Sequence, residues 1–386
     1  MRRAGVVIAV LAGAVIAATA QPAHASKYLR VGIFDQTQTV FPNDPAKTFA
    51  MLKQLHVQEI RVTLYWGGEF GAARRRPTHA TNPADPAYDW TLYDRVVENA
   101  ASVGIHVLFS IYGTPPWANG DQPLNHAPTQ GTDLKNFARA AALHFDGKAK
   151  GVNGETVPAV KEWLAWNEPN NPVFLSPQYK KSGKTWVIQS AIDYAKICNA
   201  VYSGVHATLI GSERVACGGT APRGNNDPNE SRPSVSPLAF LRAVKKDGLK
   251  TFDAWAHHPY YAGPSDQPTT KPVTAKGAPA TAVTLGNIGD LIKLVTQLYG
   301  NKRIWITEYG YQTNPPDKLF GVTYADQAKY LTEAFGIAKK NPRIDMMLWF
   351  LLQDDPNPNG WQSGLLTANG AKKPSFAAFM KMAAGI

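Results

Sequence analysis

Short apolar runs alternate with amphipathic helical patterns along most of the chain. The apolar runs predict eight strands, at 28–34, 59–65, 106–112, 161–166, 214–218, 252–256, 303–307 and 346–351. A helical pattern follows each strand, near 45–55, 91–103, 132–146, 185–206, 236–247, 284–299, 323–340 and 374–383. Because strands without polar alternation are buried on both faces, the pattern indicates a parallel sheet covered by helices.

Eight alternating strand and helix units predict an α/β fold, a single closed (β/α)8 TIM barrel. A doubly wound open sheet is the alternative, but no predicted strand is followed by the GxGxxG or GxxxxGK pattern of a nucleotide site. The segments after strands are long, and barrels of this kind build their ligand sites from those segments. We therefore expect the site at the carboxyl ends of the strands, with 263–283 as a long loop over it.

The first 25 residues have the pattern of a secretory signal peptide. Two arginines precede an uncharged stretch at 4–20, and an Ala-His-Ala sequence places small residues around a cleavage point before Ser26. A transmembrane anchor is the alternative, but an anchor needs about 20 apolar residues. We expect a signal peptide at 1–25, a catalytic domain at 26–386 without a later membrane span, and a secreted, extracellular protein.

The two cysteines, Cys198 and Cys217, fall in a predicted helix and in the strand that follows it. Such neighbours are able to pack together, and an oxidising compartment permits a disulfide. The spacing alone does not give the distance between their Cα atoms, so a disulfide and two buried thiols both stay open.

The composition excludes several classes of protein. With 386 residues, 44% hydrophobic and 18% charged, the chain is neither a disordered tail nor a coiled coil nor a disulfide-stapled miniprotein. The formal net charge of +11 favours anionic surfaces without naming a partner, and no nucleic-acid motif accompanies it, so we expect no nucleic acid partner. The 9 histidines show no HExxH or His-x-His pattern, so we expect no metal and no cofactor.

Two carboxylates stand where otherwise apolar strands end. Glu168 follows the fourth predicted strand, and Glu308 follows the seventh, 140 residues later. Both positions belong to the ligand-binding end of a barrel, so the two acids are expected to converge across one mouth. Paired carboxylates suit the cleavage of an acetal, one as general acid and the other as nucleophile or electrostatic stabiliser. A helix cap or an ion pair is the alternative role for either glutamate taken singly.

The sequences around these glutamates are WNEPN at 166–170 and WITEYG at 305–310, and they resemble the acid/base and nucleophile motifs of clan A retaining glycoside hydrolases. The resemblance covers nearly all of the chain after the signal peptide and includes the order of the motifs. With GGTAP at 218–222 and HHPY at 257–260, the chain looks most similar to family 39 and to related family 5-like actinobacterial proteins.

This resemblance implies roles for individual residues. Glu168 becomes the general acid/base, Asn167 a donor to the sugar 2-hydroxyl, and Glu308 the nucleophile. Arg61, on the second strand, matches the arginine that clan A members keep near the nucleophile, where a guanidinium holds the carboxylate ionised. A barrel-floor ion pair is the alternative for Arg61. We expect the charge of Glu308 to raise the pKa of Glu168.

The sixth strand ends in two further residues of the pattern. Residues two apart in a strand point to the same side, so His258 and Tyr260 are expected to face the site together. The resemblance implies that His258 contacts the acid/base region and that the Tyr260 hydroxyl contacts the nucleophile. His257 has the opposite parity and is interpreted as a structural histidine.

Aromatic side chains are candidates for sugar platforms, because a flat ring stacks on the apolar face of a pyranose. The resemblance implies that Trp349, at the end of the eighth strand, forms the floor beneath the sugar. Trp66, Trp117, Tyr311 and Trp361 lie in the loops after strands and are candidates for further platforms; each taken singly is interpreted as surface packing, and at least one of the set is expected to touch the substrate.

The expected function is therefore that of a secreted, cofactor-free and monomeric retaining glycoside hydrolase acting on an oligo- or polysaccharide. The alternatives are a transglycosylase using the same site and a carbohydrate-binding barrel without catalysis. The charge run at 74–76 suggests a subsite for an anionic glycan, with a solvated surface run as the alternative.

Overall fold

The barrel predicted from the sequence is present in the computed structural model, which describes residues 26, 29–151, 154–273 and 281–386. In chain order the strands are β1 (Arg30–Phe34), β2 (Glu59–Tyr65), β3 (His106–Tyr112), β4 (Glu162–Ala165), β5 (Lys180–Ser182), β6 (Thr185–Val187), β7 (Arg214–Thr220), β8 (Ala254–His257), β9 (Arg303–Tyr309) and β10 (Ile344–Trp349). All except β5 and β6 close into one parallel barrel, in the order β1-β10-β9-β8-β7-β4-β3-β2.

Helices surround the barrel. In chain order they are α1 (Gln36–Val40), α2 (Pro45–Gln54), α3 (Thr91–Ser102), α4 (Pro116–Asn119), α5 (Gly131–His144), α6 (Gln189–Val205), α7 (Pro237–Lys246), α8 (Ile288–Tyr299), α9 (Tyr324–Lys340) and α10 (Pro374–Ala383). Several of them start in the way their sequence dictates: Asp44 caps α2 by accepting from the backbone of Lys47, and Thr323 caps α9 by accepting from that of Asp326. Within the part of the chain described, none of these helices has the length and apolarity needed to cross a membrane.

The barrel interior is an apolar plug formed by inward-facing side chains. Its members are Leu108, Leu164, Ala216, Ala254, Ala256, Trp305, Met346 and Leu348. The opposite faces of the same strands pack on the helices in a second, larger core. At the amino ends of the strands the plug is followed by ion pairs, including Arg30 with Glu59 at 2.8 Å and Arg214 with Asp345 at 2.9 Å. The barrel is thus a filled core, and a ligand has room only beyond the carboxyl ends of the strands.

The structure corrects one predicted helix. The helical pattern at 185–206 begins only at Gln189, because residues 185–187 pair with 180–182 as an antiparallel hairpin. The turn consists of Gly183 and Lys184, and Gly183 has a φ of 61°, which glycine adopts without strain. The short helices α1 and α4 also lie outside the predicted set.

Cys198 of α6 and Cys217 of β7 form a disulfide, with their Cα atoms 5.9 Å apart. The helix and the strand that follows it therefore pack together, and the question that the sequence left open is resolved in favour of the bridge. The predicted signal peptide at 1–25 lies outside the described residues. In the segment 263–283, residues 274–280 also lie outside them, and no described residue of that segment lines the cavity below.

Candidate active site

Glu168 and Glu308 line one cavity at the carboxyl end of the barrel. Glu168 is in the loop after β4 and Glu308 is within β9, and both line a cavity of about 1440 Å³. One carboxylate oxygen of Glu168 lies within 4.8 Å of one carboxylate oxygen of Glu308. Retaining glycosidases hold their two carboxyl groups about 5 to 5.5 Å apart, whereas inverting enzymes need about 6.5 to 9.5 Å to admit a water. The limit of 4.8 Å between the two oxygens is nearer to the first of these ranges than to the second.

The carboxylate of Glu308 is held by a cation and a hydroxyl. Arg61 Nη1 donates to Glu308 Oε1 at 2.7 Å, and the Tyr260 hydroxyl donates to Glu308 Oε2 at 3.2 Å. Both partners are buried, so water competes little with these bonds. The guanidinium and the hydroxyl thus fix the orientation of the Glu308 carboxylate through both of its oxygens.

Arg61 also orients Asn167. Arg61 Nη2 donates to Asn167 Oδ1 at 2.7 Å, while Arg61 Nε donates to Ser110 Oγ at 2.6 Å. Because arginine has only donors, the oxygen of the Asn167 amide must face it, and the Asn167 NH2 group is left to face the cavity. Asn167 therefore presents a donor to a ligand bound beside Glu308.

Glu168 lies in a different environment. Its side chain is 12% exposed, accepts from Asn171 Nδ2 at 3.0 Å, and has no ion pair with Arg61. Burial raises the pKa of Glu168 to about 7, while the Asn171 hydrogen bond and the charge of Arg61 act to lower it. The pKa of Glu168 is thus raised, as expected from the sequence. The cause is desolvation by burial and not the charge of Glu308, whose carboxylate is paired with Arg61.

His258 connects Glu168 to the same network. His258 Nδ1 lies 3.0 Å from Glu168 Oε1, and its Nε2 lies 3.3 Å from Arg61 Nη1 and 3.0 Å from Thr307 Oγ1. Burial lowers the pKa of His258 to about 4, so the ring is neutral near pH 7. Arg61 can only donate, so we assign Nε2 as an acceptor and place the ring proton on Nδ1, which donates to Glu168. The second oxygen of Glu168 is then the one that carries a transferable proton.

His257 takes the structural role expected from its parity. Its Nδ1 lies 2.8 Å from Thr220 Oγ1, and its Nε2 lies 3.0 Å from the backbone oxygen of Val283. Both ring nitrogens are occupied away from the two glutamates, and the ring is buried. Burial lowers the pKa of His257 to about 3.

The loop that carries Glu168 has an unusual backbone. Trp166 has a φ of 71° and Glu168 a φ of 36°, both in the left-handed region that is unfavourable for residues with a side chain. Asn170 stabilises this conformation: its Nδ2 donates to the backbone oxygens of Ala221 at 3.2 Å and Val235 at 2.8 Å. The Glu168 N–H also donates to the backbone oxygen of Gly219 at 2.9 Å. Strained backbone held by buried hydrogen bonds is characteristic of functional sites, and sequence reasoning missed the part played by Asn170.

Comparisons with known proteins support the same interpretation. Residues 282–379 match a family model described as the glycosyl hydrolase catalytic core. The resemblance to glycoside hydrolases is confirmed. A search of curated proteins returns no significant match.

Solved structures of glycoside hydrolases share the fold. A family 39 glycoside hydrolase from Bacteroides cellulosilyticus WH2 is 21% identical, with a TM-score of 0.63 over 92% of this chain and 63% of that one. A glucosidase from Croceicoccus marinus is 14% identical, with a TM-score of 0.64 over 94% of this chain and 69% of that one. An endo-β-1,4-glucanase from Xanthomonas axonopodis pv. citri is 16% identical, with a TM-score of 0.57 over 93% of this chain and 100% of that one. At these identities the likeness shows the barrel fold alone.

Three of the predicted tryptophan platforms, Trp349, Trp66 and Trp117, are not among the residues that line the cavity. Trp349 is fully buried on the helix side of β10, where its Nε1 donates to the backbone oxygen of Ser363 at 2.9 Å. Trp66 is also fully buried, and its ring packs edge to face with that of Trp117 at 5.5 Å between centroids. All three belong to the core between strands and helices. Strand alternation explains the placement of Trp349 and Trp66, because each lies one residue away from an inward-facing position, whereas Trp117 belongs to the short helix α4.

Other aromatic residues take the expected place. Phe350, one residue after Trp349, lines the cavity and supplies its aromatic floor. Trp361 also lines it, and its ring stacks on that of Tyr260 at 5.7 Å, whereas Tyr311 is buried outside it. Aromatic lining residues that the sequence analysis missed are Phe34, Tyr65, Tyr112, Phe174, Tyr261 and Phe320.

The cavity is acidic. Its charged lining residues are Asp35, Glu168, Glu308, Asp317, Asp354, Asp355, Arg223 and Lys318. The charge run at 74–76 is not among the lining residues: Arg75 donates to the backbone oxygen of Pro86, and Arg76 pairs with Asp133 at 3.2 Å. The run therefore lies outside this cavity, and the subsite for an anionic glycan stays a prediction.

Glu168, His258 and Glu308 also place three possible metal-ligand atoms within 4.8 Å of one another. A divalent ion here would lie beside a fixed positive charge, since Arg61 Nη1 is 2.7 Å from Glu308 and 3.3 Å from His258. His258 Nδ1 is moreover engaged with Glu168. The set fits a proton donor and a nucleophile better than a cation site.

Proposed function

We propose that the protein is a retaining glycoside hydrolase that cleaves O-glycosidic bonds of an oligo- or polysaccharide by double displacement. The observation that carries this proposal is the pair of carboxylates within 4.8 Å of each other in unlike environments. Glu308 is paired with Arg61, whereas burial raises the pKa of Glu168 to about 7. Environment thus divides the two acids into a nucleophile and a proton donor.

In the first step, a Glu308 oxygen attacks the anomeric carbon and the bond to the leaving oxygen breaks. Glu168 gives its proton to that oxygen, so that the leaving group departs as an alcohol. Asn167 is positioned to donate to the hydroxyl next to the anomeric carbon, an interaction that strengthens as positive charge develops on the ring. The product of this step is a glycosyl ester of Glu308.

In the second step, Glu168 acts as a base. It takes a proton from water, whose oxygen attacks the anomeric carbon and displaces Glu308. Arg61 and Tyr260 stabilise the carboxylate that leaves, because they already donate to its two oxygens. Two displacements at one carbon restore the starting configuration, and Glu168 is protonated again.

The size of the cavity supports an oligo- or polysaccharide as the substrate. The volume of about 1440 Å³ exceeds that of a typical small-ligand pocket, about 300 to 1000 Å³, and has room for more than one sugar.

Secretion is part of the proposal. The signal-like sequence at 1–25 supports it, and so does the Cys198–Cys217 disulfide, because such bonds persist in oxidising compartments. The proposed mature protein is residues 26–386, acting as a monomer.

Azide rescue of two variants tests the chemistry. In Glu308→Gly, turnover of an aryl glycoside with a good leaving group is expected to fall at least a thousandfold, and azide should restore activity by occupying the vacated space. The azide then attacks directly, so the glycosyl azide has inverted configuration. In Glu168→Ala, Glu308 still forms the glycosyl enzyme and azide replaces water, so the product has retained configuration.

The exposed Glu155, in the segment before β4, offers a matched control, and Glu155→Gly is expected to behave as wild type. Wild-type turnover in Glu308→Gly, or azide products of the opposite configurations, contradicts the assignment. Product analysis by NMR distinguishes the two anomers.

A further inference from the structure

A second concavity lies next to the catalytic cavity. It has a volume of about 400 Å³ and is built from the loop after β4, the β5–β6 hairpin and the loop after β7. Its lining residues are Pro172, Val173, Ser176, Pro177, Gln178, Tyr179, Trp186, Pro228, Ser231, Arg232 and Pro233. We call it the hairpin groove.

The hairpin groove and the cavity share a wall. Asn171 and Phe174 line the catalytic cavity, while Pro172 and Val173, between them in sequence, line the groove. Val173 is 50% exposed at this wall. A linear ligand that leaves the cavity over this segment therefore enters the groove next.

The wall stands on one particular side of the scissile bond. Asn171 Nδ2 donates to Glu168 Oε2 at 3.0 Å, so Asn171 adjoins the proposed proton donor. Glu168 protonates the oxygen of the leaving group, and that group must lie against Glu168 when the bond breaks. The hairpin groove is accordingly on the leaving-group side of the site.

The groove has the chemistry of a sugar platform. Trp186, on β6, is 41% exposed, whereas tryptophan side chains are on average highly buried. Lys181 Nζ lies over one face of the Trp186 ring, 5.2 Å from its centroid, while the ring also lines the groove. Arg232 adds donors, and Tyr179 adds a second aromatic side chain. Aromatic faces flanked by donors suit the apolar face and the hydroxyls of a pyranose.

We propose that the hairpin groove binds the leaving-group end of a polysaccharide substrate, with a sugar unit stacked on Trp186. This inference rests on the proposed function and narrows it to an enzyme that favours long chains over short glycosides. The continuity of the two concavities through 171–174 identifies the occupant as the chain that the catalytic cavity holds.

The test compares Trp186→Ala, Trp186→Phe and Leu209→Ala in the full chain. Leu209 is the control, because it is 89% exposed and precedes β7 at the other end of the barrel. Binding is measured by retardation in native gels that contain hydroxyethyl cellulose, xylan, glucomannan or laminarin. Hydrolysis is measured as kcat/KM on the retarding polymer and on a nitrophenyl glycoside of the same sugar.

Loss of one stacked sugar is expected to lower the ratio of polymer to nitrophenyl kcat/KM about five- to tenfold in Trp186→Ala. Retardation should decrease in parallel, Trp186→Phe should restore most of both, and Leu209→Ala should match wild type. An unchanged ratio and unchanged retardation in Trp186→Ala refute sugar binding in the hairpin groove and leave the proposed function intact. A wild-type protein that cleaves no glycoside overturns the proposed function instead, and retardation lost in Trp186→Ala then still identifies the groove as a sugar site.

Discussion

The pKa of Glu168 is tuned by one hydrogen bond that can be removed. Burial raises this pKa to about 7, and the donor at Asn171 Nδ2, 3.0 Å from Glu168 Oε2, opposes the rise. Asn171→Ala removes the donor and leaves the burial. The ionised form of Glu168 loses a stabilising partner, so its pKa must increase and the protonated acid must persist to higher pH.

The size of the change follows from the environment. A hydrogen bond to a charged group contributes about 1.5 to 3 kcal/mol, and the 12% exposure of Glu168 lets water replace part of it. We therefore expect a rise of about one pKa unit, equivalent to about 1.4 kcal/mol. At pH 8 about one tenth of the wild-type acid is protonated, against about one half in the variant, a fivefold gain in the active form.

The assay is the pH dependence of kcat/KM on a substrate with a poor leaving group, since this parameter reports the free enzyme. The alkaline limb near pH 7 in wild type should move to about pH 8 in Asn171→Ala. Asn171→Asp is the matched variant: its side chain keeps an acceptor for the Val173 N–H, 3.1 Å away, but adds a negative charge and should move the limb further. Glu168→Gln should have no such limb. A limb that stays in place or moves to lower pH in Asn171→Ala refutes the role given to this hydrogen bond.

Two further predictions concern stability. Replacing both Cys198 and Cys217 by Ser removes a disulfide between residues 19 apart. The free energy of unfolding should fall by about 3 kcal/mol, with little change in kcat. Denaturant titration measures this free energy, and equal stability of the wild type and the double variant would contradict the prediction. Lys373→Met leaves Asp354 buried without its partner at 2.7 Å and should lower the free energy of unfolding by about 3 to 5 kcal/mol, whereas the double change Lys373→Met with Asp354→Leu should recover much of that loss. A double variant as unstable as the single one would show that the charge pair is not the cause.

The barrel and the two acids could be predicted from the sequence. The barrel follows from a repeated alternation of strands and helices, and each acid belongs to a short local motif. Strands β2 and β3 were predicted at 59–65 and 106–112, which are their observed bounds. The positions of Glu168 and Glu308 followed from where such strands end. Asn170 and Asn171 escaped prediction, because their contacts depend on a loop whose left-handed residues no local pattern specifies.

The hairpin escaped for a different reason. The sequence does contain a hairpin signal, which is a glycine-containing turn between two possible strands at 180–182 and 185–187. Both strands are very short, and the second is followed directly by a long helical pattern. Extending that helix to 185 placed Trp186 on a helix, where nothing singled it out. The error thus concealed the side chain on which the hairpin groove depends.

The plug positions seen in the structure explain why Trp349 does not form the floor of the cavity. Inward-facing residues recur every second position, so where a strand stays regular to its carboxyl end, the residue two after its last plug position faces the cavity floor. From Leu108, Ala256, Trp305 and Leu348 this rule leads to Ser110, His258, Thr307 and Phe350. The first three all contact Arg61, and the fourth lines the cavity. The family pattern supplied the expectation of an aromatic floor, but the alternation of this chain decides which ring provides it, and that ring belongs to phenylalanine.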